Sequence, residues 1–345
     1  MSIIGQTKKF VTTRILSVVK PKHQKLFSFG IQALSLTPYD SLGSNARLIV
    51  KNISTASSKI YRLVSNKTLV KNFHRLVPLV GLITKHSVVN VDFSTFCGFQ
   101  TLAFGVQTGK GRAIPVWLNC ITYPIKSVGS QNIFVLEEIK AFGKTLGFFP
   151  SFVFDRGFWI PCVMKFLLKN NSRFYLRIKQ GQSLTWREKG KAITAKTMGK
   201  HTKDATIMVF DYPMRLIVSP PPPKQKNPKK KQNTERWYII TNDLNSSRED
   251  ILHIYETRFE IEETFKDYKH IQKLKVLRIK KKETFVILLW FATLAFWLAY
   301  WIKGEVTTKD TVHPKKKRSF FRVFWEDLQR TLREPGMRQI IGGFG

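Results

Sequence analysis

The order of strand-like and helix-like segments between residues 88 and 168 restricts this chain to few folds. The first three segments are β-branched, alternating and separated by tight-turn sequences, which predicts an antiparallel meander. A helix, a buried strand and a second helix follow. The predicted strands cover residues 88–94, 102–107, 113–118 and 152–155, and the predicted helices cover 133–146 and 160–168. This order predicts an α/β fold in which helices flank a mixed sheet.

Residues 255–269 predict a helix with one polar side and one apolar side. The polar residues recur three or four positions apart, so they project along one side of the helix. A row of cations and a phenol flanking one carboxylate suits a site that holds phosphates beside a metal-bound acid. The alternative is a solvated helix with i,i+4 ion pairs. The polar residues are Tyr255, Arg258, Glu262, Lys266 and Lys269.

The spacing of Tyr255, Arg258, Glu262 and Lys269 resembles the YREK signature of DDE transposases encoded by bacterial insertion sequences. The resemblance covers about residues 88–302 and implies a ribonuclease H-like catalytic core. One departure is Phe259, because relatives usually have Trp after the Arg.

The family resemblance requires two further acids upstream, and Asp92 and Asp155 stand in matching local contexts at predicted strand ends. Taken singly, an aspartate at a strand end is usually a turn or cap residue. In a ribonuclease H-like fold the first and fourth strands are neighbours, which would bring these two acids together. The resemblance implies that Asp92, Asp155 and Glu262 hold two Mg²⁺ or Mn²⁺ ions, hard cations that prefer carboxylate oxygens.

The resemblance also assigns DNA contacts. Tyr255, Arg258 and Lys269 are expected to orient phosphates near the cleavage point, with Lys266 assisting. Trp237 begins a segment similar to the family's Trp-x-x-Leu-Thr strand, and it is expected to stack on an extruded base. A tryptophan in the core is the alternative.

The chain is predicted to contain a basic helical N-terminal region, a catalytic core interrupted by a β-rich insertion, and a basic tail. The N-terminal region is interpreted as a DNA-binding unit, with a helical cap on the core as the alternative. The predicted units are residues 1–85 (N-terminal region), 86–172 (first part of the core), 173–240 (insertion), 241–303 (second part of the core) and 304–345 (tail).

Composition favours a polyanionic partner, because 58 Lys and Arg against 23 Asp and Glu give a formal net charge of +35. Nucleic acid is the first candidate and an anionic membrane surface the second. The three cysteines show no close pairing, so neither a zinc site nor a disulfide framework is indicated. A cytoplasmic, nucleoid-associated protein is expected. The resemblance implies terminal inverted repeats and target DNA as partners and a homodimer on DNA.

The apolar run at residues 285–302 is long enough for a short transmembrane helix, with aromatic residues and flanking lysines. A helix that is apolar on all sides is equally suited to burial within a domain, which the family resemblance implies. We therefore expect no membrane partner. The predicted function is metal-dependent DNA cleavage and strand transfer in cut-and-paste transposition. The alternatives are a ribonuclease H-like DNA nuclease without strand transfer, and a non-enzymatic basic protein that binds DNA or a membrane surface.

Overall fold

A computed structural model describes residues 52–122, 130–187, 190–221, 235–272 and 279–303, together with a few isolated positions. Ten strands and eight helices lie in this part of the chain. The strands are β1 (Val88–Phe96), β2 (Phe99–Val106), β3 (Ile114–Thr122), β4 (Ser151–Phe154), β5 (Phe174–Ile178), β6 (Ser183–Trp186), β7 (Lys191–Thr194), β8 (Asp204–Val209), β9 (Tyr212–Val218) and β10 (Tyr238–Thr241). The helices are α1 (Ile53–Ser65), α2 (Thr68–Leu76), α3 (Gln131–Leu146), α4 (Pro161–Lys169), α5 (Ala195–His201), α6 (Arg248–Glu256), α7 (Glu260–His270) and α8 (Lys282–Lys303).

All ten strands belong to one mixed sheet with the order β3-β2-β1-β4-β5-β10-β9-β8-β6-β7. The first three form the predicted antiparallel meander. Its first turn is the pair Cys97 and Gly98, whose φ angles of 50° and 78° suit the right-handed twist of a hairpin. Helices connect β3 to β4 and β4 to β5, and β4 pairs in parallel with β1 and with β5. The first and fourth strands are therefore neighbours, as expected.

The β-rich residues after 173 continue this sheet. β5 lies beside β4, and β10 pairs antiparallel with β5 on one side and with β9 on the other. The predicted division into core and insertion remains a prediction. Most residues before 52, the stretch 222–234 with most of its prolines and lysines, and most of the predicted tail after 303 lie outside the described residues.

Helix α8 satisfies the length and apolarity of a membrane span, yet most of its described side chains are buried inside the fold. On one side the indole N–H of Trp297 donates to the backbone oxygen of Pro115 in β3 at 2.7 Å. On another side Trp290 stacks on Phe73 of α2, with ring centroids 5.4 Å apart. The expected burial of this apolar segment is therefore confirmed.

Candidate active site

The two predicted aspartates lie at the same edge of neighbouring parallel strands. The register of β1 and β4 pairs Val91 with Phe154, and the next residue on each chain segment is Asp92 or Asp155. β4 ends at Phe154, and Asp155 precedes a single 3-10 turn over residues 156–158. The sheet thus places the two carboxylates side by side.

The third acid is brought to this edge by the segment that joins α6 to α7. The predicted helix over residues 255–269 is broken by a 3-10 turn, Thr257–Phe259, so Tyr255 ends α6 while Glu262 lies in the first turn of α7. Arg258 sits in that turn and is only 3% exposed. The tight turn directs its guanidinium toward the sheet edge.

Hydrogen bonds from Arg258 and Tyr255 hold the three acids at this edge of the sheet. Arg258 donates from Nη1 to Asp92 Oδ2 at 3.3 Å and from Nη2 to Glu262 Oε1 at 2.7 Å. The Tyr255 hydroxyl donates to Asp155 Oδ1 at 3.3 Å. A buried guanidinium therefore links the carboxylates from β1 and α7, and a buried phenol holds the one at the end of β4. The guanidinium carbon lies 5.8 Å from the centroid of the phenol ring.

The electrostatics of this cluster are governed by burial and by like charges. Burial raises the pKa of Asp92 to about 6, although the guanidinium of Arg258 and the backbone N–H of Phe93 favour its ionised form. The charges of Glu262 and Asp155 raise the pKa of Asp92 further. Burial also raises the pKa of Tyr255, so its hydroxyl remains a hydrogen-bond donor at neutral pH. The cluster carries more negative charge than Arg258 neutralises.

The donor atoms suit a hard divalent cation. They are carboxylate oxygens, which Mg²⁺ and Mn²⁺ prefer, and a cation would offset the like charges of Glu262 and Asp155, which add to the effect of burial on Asp92. In the part of the chain that the structure describes, no three His, Cys, Asp or Glu side chains already have the spacing of a metal site. The guanidinium of Arg258 instead bridges Asp92 and Glu262.

The other predicted DNA contacts lie around this cluster. Trp237 is half-buried and packs edge-on against Tyr255, with ring centroids 5.3 Å apart. Lys266 forms an ion pair with Glu263, its neighbour on α7, and Lys269 Nζ lies 5.3 Å from the ring centroid of Phe96. The roles of Trp237, Lys266 and Lys269 in binding DNA remain predictions.

Phe259, which departs from the Trp usual in the family, lies partly at the surface and not in the core. Its side chain is 37% exposed, and its ring centroid lies 6.0 Å from that of Trp237. The 3-10 turn rotates this residue away from the core, so the two rings form a partly exposed aromatic surface beside Arg258.

Two polar residues that sequence reasoning missed hold the 254–258 segment against the sheet. Asn90 is fully buried in β1, and its amide donates to the Thr257 backbone oxygen at 3.4 Å. Gln107 donates to Asn90 Oδ1 at 2.7 Å and to the Ile254 oxygen at 2.9 Å. The sequence feature that could have identified Asn90 is its position among β-branched residues, two positions before Asp92.

Comparison with known proteins agrees with this geometry. The mixed sheet with its flanking helices has the ribonuclease H-like fold, and a cryo-EM structure of a piggyBac transposase synaptic complex with hairpin DNA shares it at a TM-score of 0.53. That likeness has 11% sequence identity and covers 99% of this chain and 84% of the other. Among curated proteins, none shows significant sequence similarity.

Residues 135–298 match the family model of the transposase DDE domain. This match confirms the resemblance to DDE transposases and supports transposase activity in general. The matched range includes Asp155 and Glu262, and Asp92 precedes it.

Proposed function

We propose that this protein cuts DNA at the ends of an insertion sequence and joins the freed 3′ ends to target DNA. The observation that carries the proposal is the convergence of Asp92, Asp155 and Glu262, with Arg258 bonded to Asp92 and Glu262 and Tyr255 bonded to Asp155. Three acids from separate elements converge at one edge of the sheet, and two of them, Asp155 and Glu262, lie within the range matched by the transposase model.

In this proposal the three carboxylates hold Mg²⁺ or Mn²⁺, in the two-ion arrangement expected from the family. Such ions, when bound, activate the attacking oxygen and stabilise the leaving oxygen. The two Nη groups of Arg258 bond to Asp92 and Glu262 in this structure, and we propose that they turn to a phosphate oxygen pair when cations occupy those carboxylates. Tyr255 donates a hydrogen bond from a rigid, fully buried position and orients Asp155.

Exposed cations offer a path for the DNA backbone. Helices α1 and α2 bury their apolar faces and expose Arg62, Lys67, Lys71 and Arg75. The sequence contains no acidic residue between positions 41 and 91, so nothing on this segment offsets their charge. We propose that these helices contact phosphates of the element ends, as two copies of the protein pair on DNA in the cytoplasm.

The aromatic surface beside Arg258 supports a role for Trp237 in stacking on an unpaired base. Its indole is half-buried against Tyr255 and Phe259, which leaves a rigid edge next to the acid cluster. Aromatic faces bind bases with little regard to sequence.

The proposal is tested by incubating the protein with DNA that carries the element's own terminal repeats and with Mg²⁺ or Mn²⁺. Nicked and joined products are scored for wild type and Glu262→Gln. We expect both products from wild type and neither from the variant. Nicking without joining would identify a nuclease, and DNA binding without any cutting would identify a non-enzymatic DNA-binding protein.

A further inference from the structure

A polar contact region connects the first turn of α7 to the loop between β2 and β3. Glu260, two residues from both Arg258 and Glu262, is only 6% exposed. Its carboxylate accepts hydrogen bonds from the backbone N–H groups of Thr108 at 2.8 Å and Gly111 at 2.7 Å. A buried carboxylate is costly unless hydrogen bonds compensate for lost water, so this geometry is tightly constrained.

Further bonds continue along the same face of α7. The Thr264 hydroxyl donates to the Ala113 backbone oxygen at 2.7 Å, and Arg112 Nε donates to Asp267 at 2.7 Å. Residues 260, 264 and 267 are spaced by four and three, so these attachments form one line along the helix. We call the set of residues 108, 111, 112, 113, 260, 264 and 267 the hairpin clamp.

The clamp ties α7 to the sheet that carries Asp92. β2 pairs with β1, and Ala103 stands opposite Asp92 in that pairing. The start of α7 has no side-chain cap of its own, because Phe259 occupies the cap position. The contacts of Glu260 therefore fix the position and rotation of the first turn of α7, which carries Glu262 and directly follows the 3-10 turn that carries Arg258.

We infer that Glu260 is a positioning residue, which sets the distance from Arg258 and Glu262 to Asp92 through its bonds to the 108–111 turn. The expected effect of Glu260 on DNA cleavage rests on the proposed function. Its expected effect on the contact between Arg258 and Asp92 rests on geometry alone. Glu260→Gln places an amide N–H₂ against backbone N–H donors, so at least one bond of the clamp is lost.

The structural consequence is measured without DNA. A double-mutant cycle of Asp92→Asn and Arg258→Met, followed by urea unfolding, gives the coupling between these side chains. We expect that coupling to fall by at least half in a Glu260→Gln background. It should be retained in a Glu256→Gln background, a matched charge change at an exposed residue near the same turn. Unchanged coupling in folded Glu260→Gln protein would overturn the inference.

Gly111→Ala provides a second route should Glu260→Gln fail to fold. Gly111 has a φ of +79°, and an added Cβ would meet no atom within 4 Å. The substitution therefore strains only the turn that donates to Glu260. The same loss of coupling is expected, and its absence would count against the inference.

The catalytic consequence is measured as single-turnover cleavage at saturating DNA. Because small displacements of reacting groups are costly, we expect about a 10- to 100-fold slower cut in Glu260→Gln with an unchanged Kd for DNA. If the wild-type protein cuts no DNA but Glu260→Gln still weakens the coupling of Asp92 with Arg258, the proposed function is rejected and the inference about the clamp stands. If wild type and Glu260→Gln both cut DNA and the coupling is fully retained in Glu260→Gln, the inference about the clamp is rejected and the proposed function stands.

Discussion

Replacing Asp92 with asparagine should stabilise the protein while abolishing its proposed chemistry. The carboxyl has a pKa of about 6 in the folded protein, against an ordinary value of 3.8, and burial is the main cause. At pH 7 its ionisation therefore costs the folded state about 3 kcal/mol. Asparagine keeps the shape without the charge, so Asp92→Asn should gain up to about 3 kcal/mol of unfolding free energy.

The stability difference between wild type and Asp92→Asn should depend on pH. Because the folded pKa of Asp92 lies above the unfolded one, wild type loses stability as pH rises from about 4 through 6. The advantage of Asp92→Asn should thus be greatest above pH 7 and vanish near pH 4. Urea unfolding in chelator-containing buffer across this range measures it. Asp211→Asn, at an exposed position, is the control.

A divalent cation should reverse the order of stability of wild type and Asp92→Asn. Mn²⁺ added to wild type should offset the charge repulsion and raise its stability, whereas Asp92→Asn should respond less. The reasoning would be refuted if Asp92→Asn were less stable than wild type in chelator at pH 7.5. Such a result would mean that the contact of Asp92 with Arg258 at 3.3 Å outweighs the cost of burial.

Three other predictions follow from the contacts. Burial opposes ionisation of Asp243, but hydrogen bonds, led by the one from Ser246, lower its pKa to about 2. Asp243→Asn should therefore cost about 2 kcal/mol of unfolding free energy in urea at pH 7. This loss should disappear as the pH falls from 4 to 2. Gly143→Ala would overlap the ring of Phe149 and should cost about 1–3 kcal/mol; Phe149→Leu in the same background should restore part of it. Trp237→Ala should weaken a stacked base by about 1–3 kcal/mol, seen as slower cleavage by protein that is still fully folded at the assay temperature; unchanged cleavage would remove the stacking role.

The sequence predicted the parts of the site that depend on local pattern. Tyr255, Arg258 and Glu262 stand at helical spacing and match the family signature, and Asp92 and Asp155 were predicted from the family resemblance together with their strand-end positions. The residues that hold these groups in place were missed because their partners are remote in sequence. Gln107 contacts Ile254, 147 positions away. Spacing within a segment gives no information on such a pair.

The 3-10 turn at residues 257–259 was missed for a related reason. Its sequence, Thr-Arg-Phe, has no proline or glycine to mark a break, and the helical period continues on both sides. The Thr257 backbone oxygen accepts from Asn90, and Arg258 bonds to Asp92, so contacts with β1 accompany the turn. Tertiary contact thus prevails over local helical preference, and it exposes Phe259.

The apolar helix α8 also explains why the N-terminal helices need not be assigned to a single role. A helix that is apolar on all sides must be covered on all sides, and β3 covers only one of them. Phe73 of α2 stacks on Trp290, and Thr284 donates to the Val64 backbone oxygen of α1 at 3.3 Å, so α1 and α2 close another side. Their outward faces carry the exposed cations. A cap on the core and the proposed surface for DNA are therefore two faces of the same helices, and removing residues 52–76 should expose α8 as well as weaken any binding of DNA.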